Sequence, residues 1–379
     1  MGHQAVYFPE RMLGIGAQYY LLIYYGIVTF LSIMLFSQYE NYSENRLDSE
    51  TEHSQVGIMV FTFLMVFFIG LRPVSADYFV DMDTYDVTYN VMMGNDFIYL
   101  GGEGSNLLFD SLFGFMASME IPSMYFFLVI AAIYFICISW ACSLLFPNDR
   151  LTSILVYLSA FSTYAYATNG IKAGAAAALF LVALAFYQKR EWFMVVLFAL
   201  LSLGFHYSMM VPIAAFLVCL FVKNPRVFLG IWVASFFLSL FHVTFFQELF
   251  ATIMNEHGAE YLLGGGGYVK EIFGGFRIDF VLYSIVPMVV GVIAIEKKKI
   301  ESESYVFLLN LYTLINAVWL LCMYSDYTNR IAYLSWMLYP IVLIYPFLNE
   351  EWEGPKYKIF QWVAFGHLVF NLVMVFIYW

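Results

Sequence analysis

A chain of 379 residues that is 62% hydrophobic and only 12% charged has too few polar side chains to cover a soluble core holding 40 Phe, 30 Tyr and 8 Trp. That excludes the soluble, disordered and disulfide-scaffold classes and places the chain in a bilayer. A formal net charge of −11, with the 17 basic residues scattered along the chain, excludes nucleic acid as a partner, because phosphate backbones are bound by clustered Lys and Arg.

A spanning helix takes roughly 20 apolar residues, and the polar breaks leave about a dozen candidates. In chain order they cover 18–36, 56–71, 123–146, 151–168, 172–188, 192–205, 208–222, 226–247, 279–296, 303–323, 329–348 and 357–378. Residues 1–17 do not read as a cleaved leader, so the first run is expected to persist as a helix. The segments 192–205 and 208–222 are short for a bilayer and predict a bent hairpin with His206 at its apex. Residues 107–119, with Asp110 inside an apolar stretch, predict a helix lying at the membrane interface. The expected fold is therefore all-α: one polytopic integral membrane domain over 1–379, with about 12 transmembrane helices, long extracytoplasmic loops at 72–122 and 248–278, and an interfacial helix in the first loop. No repeat of 20 to 50 residues and no inverted half-to-half similarity is evident.

Alternate loops carry unequal basic charge. One set holds eleven Lys and Arg, among them Lys189, Arg190, Lys223, Arg226, Lys297 and Lys356. The other, with the longer loops, holds six, Arg11, Arg72, Lys172, Lys270, Arg277 and Arg330. The positive-inside rule makes the first set cytoplasmic. Glycine clusters at 101–104 and 264–267 lack the strand and helix of a phosphate loop and are expected to form flaps over an outward-facing cavity. Cys137, Cys142, Cys219 and Cys322 sit inside apolar runs and are expected to pack rather than react.

The outer helix ends hold the chemistry. Lys172, Arg277 and Arg330 each open a helix and Arg72 closes one, although a helix N-terminus is already positive and prefers acidic neighbours. Amides and cations converging on one face make an anion site. The alternative is local neutralisation of Arg277 by Asp279 and of Arg330 by Asp326, with Lys172 snorkelling. After Arg72, carboxylates alternate with rings: Asp77, Tyr78, Asp81, Asp83, Tyr85, Asp86 and Tyr89. That mixture suits a sugar, whose hydroxyls and apolar faces it would meet, and one carboxylate such as Asp83 can take a hydroxyl proton. The Asp-x-Asp pair is too short a motif to assign a metal. His206, with an ordinary pKa near 6.5 and apolar flanks that keep it neutral, is the other candidate base.

Three patches resemble the EpsG family of Wzy-like bacterial exopolysaccharide polymerases. They are Gly70-Leu71-Arg72 with Asp81, Asp83, Tyr85 and Tyr89; Asn169-Gly170-Ile171-Lys172 with its small-residue helix, running on to His206-Tyr207-Ser208; and Asn329-Arg330-Ile331-Ala332-Tyr333 with Pro340. This chain has Lys172 where the family usually has Arg, which removes a two-pronged grip and keeps the charge. The resemblance implies a glycosyltransferase of the bacterial cytoplasmic membrane, joining oligosaccharide repeat units carried on undecaprenyl pyrophosphate at the outer face. It implies a substrate site of Arg72, Lys172, Arg277, Arg330, Asp81, Tyr85, Tyr89 and Asn169, catalysis by His206 or Asp83, and neither cofactor nor metal. Its partners would be membrane lipids, a chain-length regulator and other polysaccharide-assembly proteins. A flippase or other transporter, and a membrane acyltransferase that decorates polysaccharide, are the rival readings.

Overall fold

A computed structural model describes residues 13–41, 51–96, 106–253, 262–263 and 275–378. Both glycine clusters expected to form flaps lie outside these residues, as do Arg46 and Lys270.

The described chain is helical throughout. Helix α1 (Tyr20–Phe36) and α2 (Thr51–Gly70) lead to α3 (Val80–Met92), α4 (Leu107–Ser118) and the long α5 (Ser123–Leu145). Then come α6 (Arg150–Ser159), α7 (Phe161–Thr168), α8 (Ile171–Gln188), α9 (Trp192–Phe205) and α10 (Met210–Phe221). The C-terminal part comprises α11 (Pro225–Leu240), α12 (Phe245–Ile253), α13 (Ile278–Val292), α14 (Glu303–Leu321), α15 (Thr328–Trp336), α16 (Tyr339–Leu348) and α17 (Lys356–Val373). Among the described residues seven helical stretches are long and apolar enough to span a bilayer, and an eighth arises if α11 and α12, bent by 104°, count as one. The expected count of about twelve is not confirmed among the described residues, where the stretch Gln55–Gly70 and helices α6, α9 and α10 are apolar but shorter than a full span. All four cysteines are buried and unbridged, as expected of packing residues.

Two departures from the sequence reading concern local structure. The stretch after Arg72, read as loop, winds into α3, whose first turn carries Asp81 and Asp83 where the helix dipole favours acids. Segment 151–168, read as one span, breaks at Ala160, which is extended (φ −67°, ψ 132°). Breaking a helix at this depth frees backbone groups that water does not reach, so other helices must supply partners. Asn371 Oδ1 accepts the Phe161 N–H at 2.8 Å, and the Tyr24 hydroxyl donates to the Leu158 carbonyl at 2.9 Å. Thr163 Oγ1 donates to the Tyr157 carbonyl at 2.7 Å, and the Tyr134 hydroxyl donates to the Thr163 carbonyl at 3.0 Å.

The central layer is α8, whose Ala175 to Ala178 are all buried. Small side chains let its neighbours α5, α7 and α9 come close. At Gly174 the approach is extreme, since a Cβ there would lie 2.6 Å from the Tyr166 carbonyl oxygen on α7. Gly174→Ala must push α7 away from α8, and an overpacked core costs about 1–3 kcal/mol. We expect a lower melting temperature in detergent; an unchanged one would show that α7 yields freely.

Among the described residues the two sets of loop charges lie at opposite ends of helices such as α8, which runs from Ile171 to Gln188. At one end Lys223 pairs with Glu303 (3.7 Å), Arg226 with Glu296 (2.9 Å), and Lys298 Nζ donates to the Glu353 carbonyl (3.0 Å). At the other, Arg72 reaches Thr168, Lys172 reaches Asp110 and Arg330 reaches Asp81.

Candidate functional site

The second end gathers most of the residues singled out from the sequence. Helix α3 is tied to α5 through Asp86, which accepts a hydrogen bond from Ser123 Oγ at the start of α5 and another from Asn90 Nδ2 one turn along α3 itself. With α3 held there, Asp81, Tyr85 and Tyr89 share one face at i, i+4 spacing. Tyr85 is the hub. Lys172 Nζ lies 5.5 Å from its ring centroid and 4.9 Å from that of Phe109. Burial raises the Tyr85 pKa, and the charges of Asp81 and Asp110 raise it further.

Two ion pairs flank Tyr85. Lys172 Nζ lies 3.2 Å from Asp110 Oδ1, with side-chain exposures of 21% and 23%. The other Asp110 oxygen accepts the Asn106 N–H at 2.6 Å. Arg330 donates to Asp81 at 3.3 Å, a carboxylate on α3 that the sequence reading, with Asp326 as the neutraliser, does not pair with it. Arg330 opens α15 beside Tyr327, which has a left-handed backbone (φ 50°) that is strained for a residue with a Cβ. The Tyr327 carbonyl accepts the Arg330 N–H at 2.8 Å, and its ring lies 4.9 Å from the guanidinium.

His206 stands between α9 and the short 3-10 turn Tyr207–Met209, at the apex the hairpin reading predicts. Its Nδ1 accepts the Ser208 N–H at 3.2 Å and lies 2.6 Å from Ser208 Oγ. Asn106 ties the apex to the start of α4, accepting the Tyr207 N–H at 3.1 Å. Burial, reinforced by the positive charges of Lys172 and Arg330, pushes the His206 pKa down from its ordinary 6.5 to about 4. That shift favours the neutral ring.

Four further selected residues are held by contacts of other kinds. Arg72 is 2% exposed, and its guanidinium donates to the Ile69 carbonyl at 2.7 Å and the Thr168 carbonyl at 2.8 Å. It thereby joins the C-terminal ends of α2 and α7, with its Nε unpartnered and the Phe79 ring 5.3 Å away. Asn169 follows Thr168, half-buried, with an unpartnered Oδ1. Tyr89 is fully buried against Phe113 and Phe126 and its hydroxyl donates to the Ile121 carbonyl at 2.7 Å, which leaves no ring face for a sugar. Arg277 grips Asp279 with two nitrogens at 3.0 and 2.6 Å, as the local-neutralisation alternative foresaw. Sequence reasoning passed over Asp110 as a site residue, yet a lone carboxylate in an apolar twelve-residue helix was a signal for it. Among the described residues no group of three His, Cys, Asp or Glu side chains is placed to hold a metal ion.

With this geometry in hand, comparison with known families is decisive: residues 56–379 match the EpsG family. The chain belongs to the EpsG family. No curated protein and no solved structure matches it. Membership together with the spans makes this EpsG-family chain a multi-pass membrane protein, and it suggests an exopolysaccharide polymerase-like function of the glycosyltransferase kind.

Proposed function

We propose that this EpsG-family protein polymerises polysaccharide by joining oligosaccharide repeat units carried on undecaprenyl pyrophosphate, at the outer face of the bacterial cytoplasmic membrane. The observation that carries the reading is that Lys172 and Arg330, from helix starts far apart in sequence, pair with Asp110 and Asp81 beside Tyr85, with Asn106 bonded to both Asp110 and the His206 apex. In the proposed reaction an acceptor hydroxyl oxygen attacks the anomeric carbon of the donor. The bond from that carbon to the pyrophosphate oxygen breaks, its electron pair leaves with the pyrophosphate, and the hydroxyl proton passes to a base. Cations fixed where negative charge grows stabilise the leaving group without a proton donor.

The hydrogen bonding of His206 favours a donor over a base. Its Nδ1 already accepts the Ser208 N–H, so the neutral ring carries its proton on Nε2, which can donate to a phosphate or sugar oxygen but cannot accept. Asp83, in the first turn of α3 and half-exposed, is then the candidate base. Purified protein with a lipid-linked repeat unit separates the two. Asp83→Asn is expected to bind substrate and lose turnover by about 10²–10⁴, whereas His206→Gln weakens binding and turnover together. Activity that depends on neutral His206 should persist well below pH 6.5, because that ring takes up its proton only near pH 4. Full polymer from Asp83→Asn would remove it as the base.

A further inference from the structure

The two cations of this site are not bare, and the way they are covered differs from a structural ion pair elsewhere in the same protein. Arg277 holds Asp279 with two short bonds, 3.0 and 2.6 Å. Lys172 touches Asp110 through one contact of 3.2 Å. Toward Asp81, Arg330 places one nitrogen 3.3 and 3.5 Å from the two carboxylate oxygens. Charge-assisted bonds between nitrogen and oxygen normally run to about 2.7–2.9 Å, so both site pairs are loose and one-pronged.

Asp110 also has a second attachment that survives loss of the first. Its Oδ2 accepts the Asn106 N–H at 2.6 Å, in the first turn of α4. If Lys172 leaves, the carboxylate keeps that bond. Asp81 likewise sits in the first turn of α3, where the helix dipole stabilises it without Arg330. On the cation side, an ammonium has three N–H donors on a flexible stem and can turn from one acceptor to another. Around Lys172 the other neighbours are ring faces of Phe109 and Tyr85, which hold a cation weakly.

We propose that Asp110 and Asp81 are resident anions that hold Lys172 and Arg330 while the site lacks substrate, and that a diphosphate group displaces both. This rests on the pyrophosphate reading above and adds to it a reason for selectivity. A diphosphate diester carries one negative charge on each phosphorus and so replaces two carboxylates charge for charge. A monophosphate diester carries one and leaves a cation on its carboxylate. Asp110 and Asp81 thus set the charge that a ligand must bring.

The test is titration of the purified full chain in nanodiscs with inorganic pyrophosphate, read by calorimetry. Asp110→Asn keeps the acceptor for the Asn106 N–H and removes the competing charge; it should bind pyrophosphate on the order of ten-fold more tightly than wild type. Asp81→Asn should do the same at Arg330, which keeps the question open to test if one variant folds poorly. Lys172→Gln and Arg330→Gln should bind more weakly. If both Asp→Asn variants bind no more tightly than wild type while the Gln variants lose affinity, the displacement idea is wrong and the pyrophosphate reading stands. If no form binds pyrophosphate, both are wrong.

Discussion

Lys172→Ala is expected to abolish polymer while the protein remains in the membrane. Lys172 is the most enclosed cation facing Tyr85 and His206, and its side chain is placed by two separate devices. Gly174, two residues on, lets α8 seat against α7, and Asp110 with the Phe109 ring keeps the ammonium loosely in place beside Tyr85. Removing one preorganised stabiliser of developing charge typically costs about 10²–10³ in rate. The same substitution strands the Asp110 carboxylate, so protein level must be measured beside polymer. Pairing it with Asp110→Ala removes the stranded charge. The double variant should be as abundant as wild type and still make no polymer. Normal polymer from Lys172→Ala, read as chain-length distribution on gels, would take Lys172 out of the site.

Arg72→Ala should act through folding instead. The guanidinium donates to the last carbonyls of α2 and α7, which are among the groups a helix leaves unsatisfied at its C-terminus. Each hydrogen bond from a charged donor is worth about 1.5–3 kcal/mol, and orphaned buried carbonyls cost more. Losing both at once is roughly 3–6 kcal/mol, a large share of the 5–15 kcal/mol typical of a folded domain. A severe drop in membrane abundance and in melting temperature is the expected result. Arg72→Lys should recover part of it, since an ammonium reaches one carbonyl well but not two held apart. If Arg72→Ala instead folds like wild type and lacks only activity, Arg72 touches substrate directly, and its burial is relieved when substrate binds.

These two residues show where sequence reading succeeded and where it stopped. Both were picked for the same reason, a cation at an outer helix end, and from sequence alone they looked equivalent. Folding separates them: Lys172 points to the space around Tyr85, and Arg72 lies inside as a clamp between helix ends. Arg277 and Arg330 divide similarly, one gripping Asp279 two residues away and the other reaching Asp81 across 249 positions of chain.

What the sequence determined by itself is the membrane class, the all-helical fold and the position of many helix boundaries. The ends expected at 172–188 and 192–205 fall within a residue of α8 and α9, and His206 lies between helices as anticipated. Those features follow from hydropathy, which acts on each short segment independently of the rest of the chain. The number of full spans, the break at Ala160, the helical form of α3 and the partners of the cations were decided by tertiary structure. A broken helix persists only because Asn371 and Tyr24 reach its freed groups from distant helices. Whether a charge is a ligand site or a clamp depends in the same way on which acceptors the packed bundle brings within hydrogen-bond reach, and that distance is not written in any local stretch of residues.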